Sequence, residues 1–265
     1  MQKSFIYLQQ PVTYRMYGKG KLVVLIHGFP EDGNIFQSQI NFLQQHCLVI
    51  VPDLPGSGSS AYNASIHTIE AFALCINSIL EKEAINTCII MGHSMGGYIS
   101  LAFAELFPEK ILGLGLIHST AFADSDEKKA MRAKAINTMN EVGAYQFIKI
   151  TISNLFSDIS KEAFQQEIAS LIEAGKKFST KALQQYYSAM MQRPDRTSVL
   201  SSINSPVLFV IGDKDVAAPL KDLEQQIHLP HCSYIHIIEN VAHMSMIEAA
   251  DVLNNYLLDF IKKVD

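Results

Sequence analysis

The chain has no hydrophobic run of the roughly 20 residues needed to cross a bilayer. Its first residues, Met1-Gln2-Lys3-Ser4-Phe5, carry one lysine and then a strand-like alternation. The continuous apolar core of a signal peptide is missing. No membrane contact is expected, and a cytoplasmic location is. Basic clusters are also missing: net charge is -5 with both signs scattered, which speaks against a nucleic acid partner. Cysteine is sparse. Cys47, Cys75, Cys88 and Cys232 lie far apart, and no pair has metal-ligand spacing. They read as buried free thiols rather than disulfides or a metal site. There is no His-Glu-x-x-His motif and no dinucleotide glycine fingerprint, so neither metal nor cofactor is expected. Repeats, low-complexity segments and linkers are absent too, so nothing marks off an independent second domain.

What the chain does have is an ample core. Hydrophobic residues make up 48% and charged residues 18%, which excludes a disordered chain. Two short strand-like runs, Phe5 to Leu8 and Val12 to Tyr17, flank Pro11 and predict a hairpin. Buried-strand runs follow at Leu22 to Ile26, Cys47 to Val51, Ile89 to Met91, Ile111 to Ile117, Val207 to Ile211 and Tyr234 to Ile238. Helical patterns alternate with them, at about Ile35 to Leu43, Ile66 to Leu80, Tyr98 to Phe107 and Met246 to Ile261. Alternation of this kind predicts an α/β fold, here an eight-stranded, mostly parallel sheet with helices on both faces.

Between Ala121 and about Thr197 the pattern changes to helices alone. Phe164, Ile168, Leu171 and Ile172 form one apolar stripe. Leu183, Tyr186, Tyr187, Met190 and Met191 form another, after a Ser179 cap. Residues 1–120 and 198–265 are therefore expected to form the core, and 121–197 a helical cap inserted after the sixth strand.

The most informative stretch is Ile89-Ile90-Met91-Gly92-His93-Ser94-Met95-Gly96-Gly97. It reads as a strand, a sharp turn and a helix, with Ser94 between glycines two residues away on each side. This is the pattern of a nucleophile elbow. Side chains at those glycines would collide with the adjoining strand and helix, and the helix N-terminus favours negative charge beside the serine. Chance alone would produce Gly-x-Ser-x-Gly about one time in ten in a chain of this length. The other components therefore matter.

A serine hydroxyl needs a base, and the base needs an orienting acid. Of nine histidines, His46, His67, His228 and His231 sit in polar stretches and read as surface residues. His27 and His93 lie in tight loops where backbone geometry counts more than the ring, and His236 alternates within a strand. His118, just after a strand, is a candidate for the pocket wall. His243 follows the last strand, ahead of the closing helix, and is the expected base. For the acid, Asp213 and Asp215 both follow the seventh strand. Asp213 reads as a turn former and Asp215 as the partner of His243. Backbone N–H groups of Met95 and Phe29 are the expected oxyanion donors. In the cap, Phe147 and Tyr187, with Tyr145, Phe156 and Tyr186, are candidate pocket aromatics. Arg193 and Arg196 could hold a substrate carboxylate, though ion pairing within the protein is the favoured reading.

These pieces together resemble the alpha/beta-hydrolase superfamily over nearly the whole chain. They are His27-Gly28-Phe29-Pro30, Pro52-Asp53-Leu54-Pro55-Gly56-Ser57-Gly58-Ser59, Gly92 to Gly97, Gly212-Asp213-Lys214-Asp215, and Ala242-His243 with Glu248 downstream. Among its members the chain is most similar to the capped carboxylesterase and enol-lactonase-like branch, with Arg193-Pro194-Asp195 as a further likeness. The resemblance implies a cofactor-free hydrolase acting on a small-molecule ester or lactone. Haloalkane dehalogenases and epoxide hydrolases share His-Gly-Phe-Pro but carry Asp where this chain has Ser94. Ser57 stands where the family usually has histidine, in a loop that is structural there, and Asp53 reads as structural as well. Other chemistries on the same residues are carbon–carbon bond hydrolysis, an elimination, or slow-turnover ligand reception.

Overall fold

A computed structural model of the protein describes residues 1–264. The chain runs β1 (Gln2–Tyr7), β2 (Gln10–Tyr17), β3 (Leu22–Ile26), α1 (Gln37–Leu43), β4 (Leu48–Pro52), α2 (Ile69–Lys82), β5 (Cys88–His93), α3 (Met95–Leu106) and β6 (Ile111–Ile117). Five helices follow without a strand: α4 (Asp126–Ser153), α5 (Asp158–Ala163), α6 (Gln165–Ala174), α7 (Thr180–Gln192) and α8 (Thr197–Ser202). The core resumes with β7 (Val207–Gly212), α9 (Leu220–Glu224), β8 (Ser233–Ile238), α10 (Ser245–Glu248) and α11 (Ala250–Lys263).

The eight strands form one sheet in the order β1-β2-β4-β3-β5-β6-β7-β8. β1, β2 and β4 pair antiparallel; β4 through β8 run parallel in their spatial order. Every residue of β3 and β5 is buried, so both faces of the sheet centre are covered. α2 and α3 pack together, as do α1 and α11. The sheet order reverses between β3 and β5, and their carboxyl ends open there, with Ile26 beside Gly92. Such a switch point is where alpha/beta sheets hold their ligands.

Local differences from the sequence reading have clear causes. The hairpin turns at Leu8 and Gln9, both with positive φ, and Pro11 falls inside β2. Its ring is accommodated opposite Ile6 in the pair with β1. The helix predicted from Ile35 begins as a 3-10 turn over Gly33–Phe36. α2 starts at Ile69 because the Thr68 side chain accepts from the Ala71 N–H and caps it there. α3 begins three residues earlier than its apolar pattern, directly after Ser94. The closing helix is broken at Ala249, where φ is -147°. In the insertion, Ser179 caps α7 as its position suggests, while Phe164 sits at the break between α5 and α6. α4 is interrupted at Gly143, which takes φ +79°. Cys47, Cys75 and Cys88 are buried free thiols, but Cys232 is exposed, on the loop ahead of β8. Among the described residues no helix is long and apolar enough to cross a membrane.

Candidate active site

Ser94 is the pivot between β5 and α3, with φ 51° and ψ -116°. The turn is tight enough that a Cβ at Gly92 would run into the Gly96 carbonyl, and one at Gly96 into the carbonyl of Ile26. Two hydrogen bonds fix the serine backbone. Its N–H donates to the Ile117 carbonyl at 2.9 Å, and its carbonyl accepts from Ser119 Oγ at 2.8 Å. Met95 is the first residue of α3, where an N–H has no intrahelical acceptor. The loop after β3 passes close by: a Cβ on Gly28 would lie 3.0 Å from that of Ser94. Phe29 is the next residue along this loop.

Asp215 leaves the sheet just past β7. Its Oδ1 accepts from the Ala217 and Ala218 N–H groups, both at 2.9 Å. Its Oδ2 lies 2.8 Å from His243 Nδ1. Burial by itself would raise the carboxyl, but the two imidazoles on it carry it well below the usual carboxylate range. Burial likewise opposes a charged His243, yet Asp215, with Glu31 and Glu248 further off, lifts that ring above its ordinary value. Asp213, the other candidate, points to Lys214 at 2.8 Å and makes no bond to His243.

The segment carrying His243 is held from two sides. Glu248 accepts from the N–H of Ala242 at 3.2 Å and of Met244 at 2.9 Å, and reaches the Ser157 N–H of the insertion at 3.1 Å. The His243 N–H donates to the carbonyl of Leu155, also in the insertion, at 2.9 Å. The helical segment thus touches the backbone of this histidine directly.

His118 requires a correction. It is no pocket-wall residue. Its ring is fully buried, with Nδ1 2.8 Å from the same Asp215 Oδ2 and Nε2 2.8 Å from Ser245 Oγ. The cluster His118, Asp215 and His243 brings three metal-ligating groups together. The geometry is nevertheless that of two N–H donors on one carboxylate oxygen, and zinc at its usual distance of about 2.0 Å from nitrogen would have to displace both bonds.

The loop histidines do more with their rings than the sequence suggests. His93 Nδ1 faces Glu31 Oε2 at 3.0 Å, and its Nε2 faces the His243 carbonyl at 2.9 Å. Glu31 Oε2 also accepts the Gly28 N–H at 3.1 Å. His27 accepts the Leu54 N–H on Nε2 at 3.0 Å and donates from Nδ1 to the Gly28 carbonyl at 2.8 Å. Glu31 had no local signal, because its partner His93 is 62 residues away. The same holds for Ser245, which meets His118 across 127 residues. His46, His67, His228 and His231 are exposed. Asp53 is structural: its carboxylate pairs with Arg15 at 2.6 Å and accepts the Gly33 and Ser59 N–H groups.

The Phe29 ring lies against Tyr187, centroids 4.4 Å apart, and against Phe147 at 6.5 Å. Phe147 and Tyr187 are half-buried, and the guanidinium of Arg132 lies 5.0 Å from the Tyr187 ring centre. Tyr186 and Phe156 are buried core instead, and Tyr186 donates to the Pro55 carbonyl at 2.9 Å. Tyr145 stacks with Lys149 and Lys176. Arg193 pairs with Asp124 at 2.8 Å, and Arg196 pairs with Glu105 at 2.9 Å and with Glu70. Both arginines are thus committed within the protein.

Residues 21–250 match the family described as alpha/beta hydrolase fold, and the chain belongs to it. It is an enzyme of the alpha/beta-hydrolase class. One relative is the dihydrolipoyllysine-residue acetyltransferase component of the acetoin cleaving system of Pseudomonas putida, 28% identical over 92% of this chain. The match spans 64% of that longer protein. Another is a pimeloyl-[acyl-carrier protein] methyl ester esterase of Neisseria meningitidis, 28% identical over 92% of this chain and 78% of the relative. Among solved structures, a thermophilic esterase from Thermogutta terrifontis superposes with a TM-score of 0.93 and 24% identity, covering 100% of this chain and 99% of that one.

Proposed function

We propose that the protein hydrolyses a small to medium carboxylic ester or lactone through an acyl-enzyme on Ser94. Ser94 Oγ attacks the carbonyl while His243 Nε2 takes its proton. Asp215 holds Nδ1 and stabilises the imidazolium that forms. The N–H groups of Met95 and Phe29 hold the oxyanion. His243 returns the proton to the leaving alkoxide, and water attacks the acyl-enzyme with His243 again as base. Residues 121–197 act as a cap, and Phe29, Phe147 and Tyr187 give the acyl or alkyl group an apolar wall.

The observation that carries this reading is the Asp215–His243 bond at 2.8 Å, with the other carboxylate oxygen pinned by two backbone N–H groups. It leaves His243 Nε2 as the ring nitrogen available to a hydroxyl. The His243 carbonyl bonds to His93, the residue adjacent to Ser94.

The test pairs fluorophosphonate labelling with a panel of esters and lactones of graded chain length, scored by kcat/KM. Label on Ser94, and a loss of about 10⁶ in turnover in Ser94→Ala, are expected. A Ser94→Ala protein cleaving short p-nitrophenyl esters as fast as the parent would overturn the assignment. Acid release from a dicarboxylate without ester turnover would point to lyase or carbon–carbon bond chemistry instead.

A further inference from the structure

Two imidazoles share one carboxylate oxygen. His118 and His243 each place Nδ1 at 2.8 Å from Asp215 Oδ2. Only His243 has a part in the reaction proposed above. The Nδ1 of His118 faces a carboxylate, so it carries the proton. Its Nε2 faces Ser245 Oγ, whose O–H can donate to it. The ring is therefore satisfied as a neutral imidazole. Burial also pushes it below the ordinary histidine value, in spite of Asp215.

The backbone at this residue is unusual. His118 has φ +50°, a left-handed conformation that non-glycine residues seldom take. Ser94 has nearly the same angle, and such strain gathers at functional positions. The His118 N–H, bonded to the Val210 carbonyl at 2.8 Å, holds the bend against β7.

We propose that His118 is a positioning residue which, by donating to the oxygen that also holds His243, limits how far Asp215 raises the basicity of His243. This rests on the roles given above to Ser94, His243 and Asp215. A carboxylate oxygen shared by two N–H donors offers less charge to each, so a neutral second donor keeps the base from being held as imidazolium near neutral pH. The groups facing this pair are His93, whose ring centre lies 5.9 Å from that of His118 and 4.8 Å from that of His243, together with Asp215, Glu31 and Glu248.

The test is an NMR titration of the His243 imidazole in the parent, His118→Leu and His118→Asn, alongside the kcat/KM pH profile. Leucine removes the donor. Asparagine can present an amide N–H close to where imidazole Nδ1–H stood. In His118→Leu the His243 titration and the acid limb of kcat/KM should both move up by about one pH unit. His118→Asn should stay close to the parent. An unmoved His243 in His118→Leu, or equal shifts in both variants, would overturn the proposal. A residue that merely filled space would give one of those two results. The titration needs no turnover, so it can fail or succeed separately from the hydrolase reading. If His118→Leu does not fold, His118→Met takes its place, since it too fills the site with no donor for Asp215 Oδ2. The same upward shift is expected there, and none in a folded His118→Met overturns the proposal.

Discussion

The His93 ring sits between Glu31 Oε2, 3.0 Å from its Nδ1, and the backbone carbonyl of His243, 2.9 Å from its Nε2. Burial by itself would raise the Glu31 carboxyl, but His93 beside it carries it below its ordinary value. Glu31 in turn accepts the Gly28 N–H. One side chain pair therefore ties the loop bearing Phe29 to the loop bearing His243, across the carboxyl ends of β3 and β5.

Removing one member of a buried pair leaves the other uncompensated. Glu31→Ala leaves the buried Gly28 N–H without its acceptor and should destabilise the protein by about 1–3 kcal/mol, read as a lower denaturant midpoint at unchanged slope. It should also lower kcat more than it raises KM, because the loop it holds carries the Phe29 N–H proposed above as an oxyanion donor. A denaturant midpoint equal to the parent's would show that the pair contributes nothing.

The pH profile has a predicted sign. In the proposed reaction His243 must be neutral to accept the serine proton, and its titration is raised above the ordinary 6.5. The rate constant kcat/KM should therefore fall as pH drops through a value above 6.5, while Asp215 stays ionised throughout. An acid limb below 6.5 would contradict the balance between burial and Asp215.

Stability should follow a second pH dependence. Burial, against the pull of nearby carboxylates, depresses the titration of both His27 and His118. A depressed histidine contributes stability that is present above its unfolded value and lost as pH falls, because the unfolded chain then binds protons the folded one refuses. His243 is raised and works the other way, its contribution being lost as pH rises through its folded value. His236 is depressed too, by partial burial and by Lys263 beside it, so three groups oppose one, and the denaturant midpoint should be lower at pH 5.5 than at pH 7.5. A midpoint that rose on acidification would show that His243 outweighs the three.

Glu248 joins the segment around His243 to the insertion through Ser157. Glu248→Ala leaves several backbone N–H groups without their acceptor, at about 1–3 kcal/mol for each that stays buried. Turnover should fall by about tenfold, and proteolysis between α4 and α5 should speed up. Cleavage and turnover both matching the parent would argue against a coupled pair of loops.

Tyr187 packs against Phe29 with its ring tilted, and such aromatic pairs contribute about 0.5–1.5 kcal/mol beyond their buried area. Tyr187→Ala should raise KM for esters with longer chains by about tenfold and leave acetate esters nearly unchanged. An equal effect on both would remove Tyr187 from the pocket wall.

The order of strands and helices could be read from the chain itself because burial imposes local periodicity. Val23 to Ile26 must be apolar at every position to lie between two helical layers, and the α2 stripe from Ile69 to Leu80 repeats at helical spacing. The elbow was equally legible, since Gly92 and Gly96 are dictated by contacts within a few residues or with the neighbouring strand. Asp215 and His243 could be picked out because each follows a strand, and parallel strands end on one edge. What local pattern could not carry was the set of partners behind them. His118 reads as a wall residue until β7 brings Asp215 to it, 97 residues further on. His93 reads as a passive neighbour of Ser94 until Glu31 and the His243 carbonyl are set on either side of its ring. Hydrogen bonding between distant residues leaves no periodicity in the chain, so only the tertiary structure decides which buried imidazoles share a carboxylate.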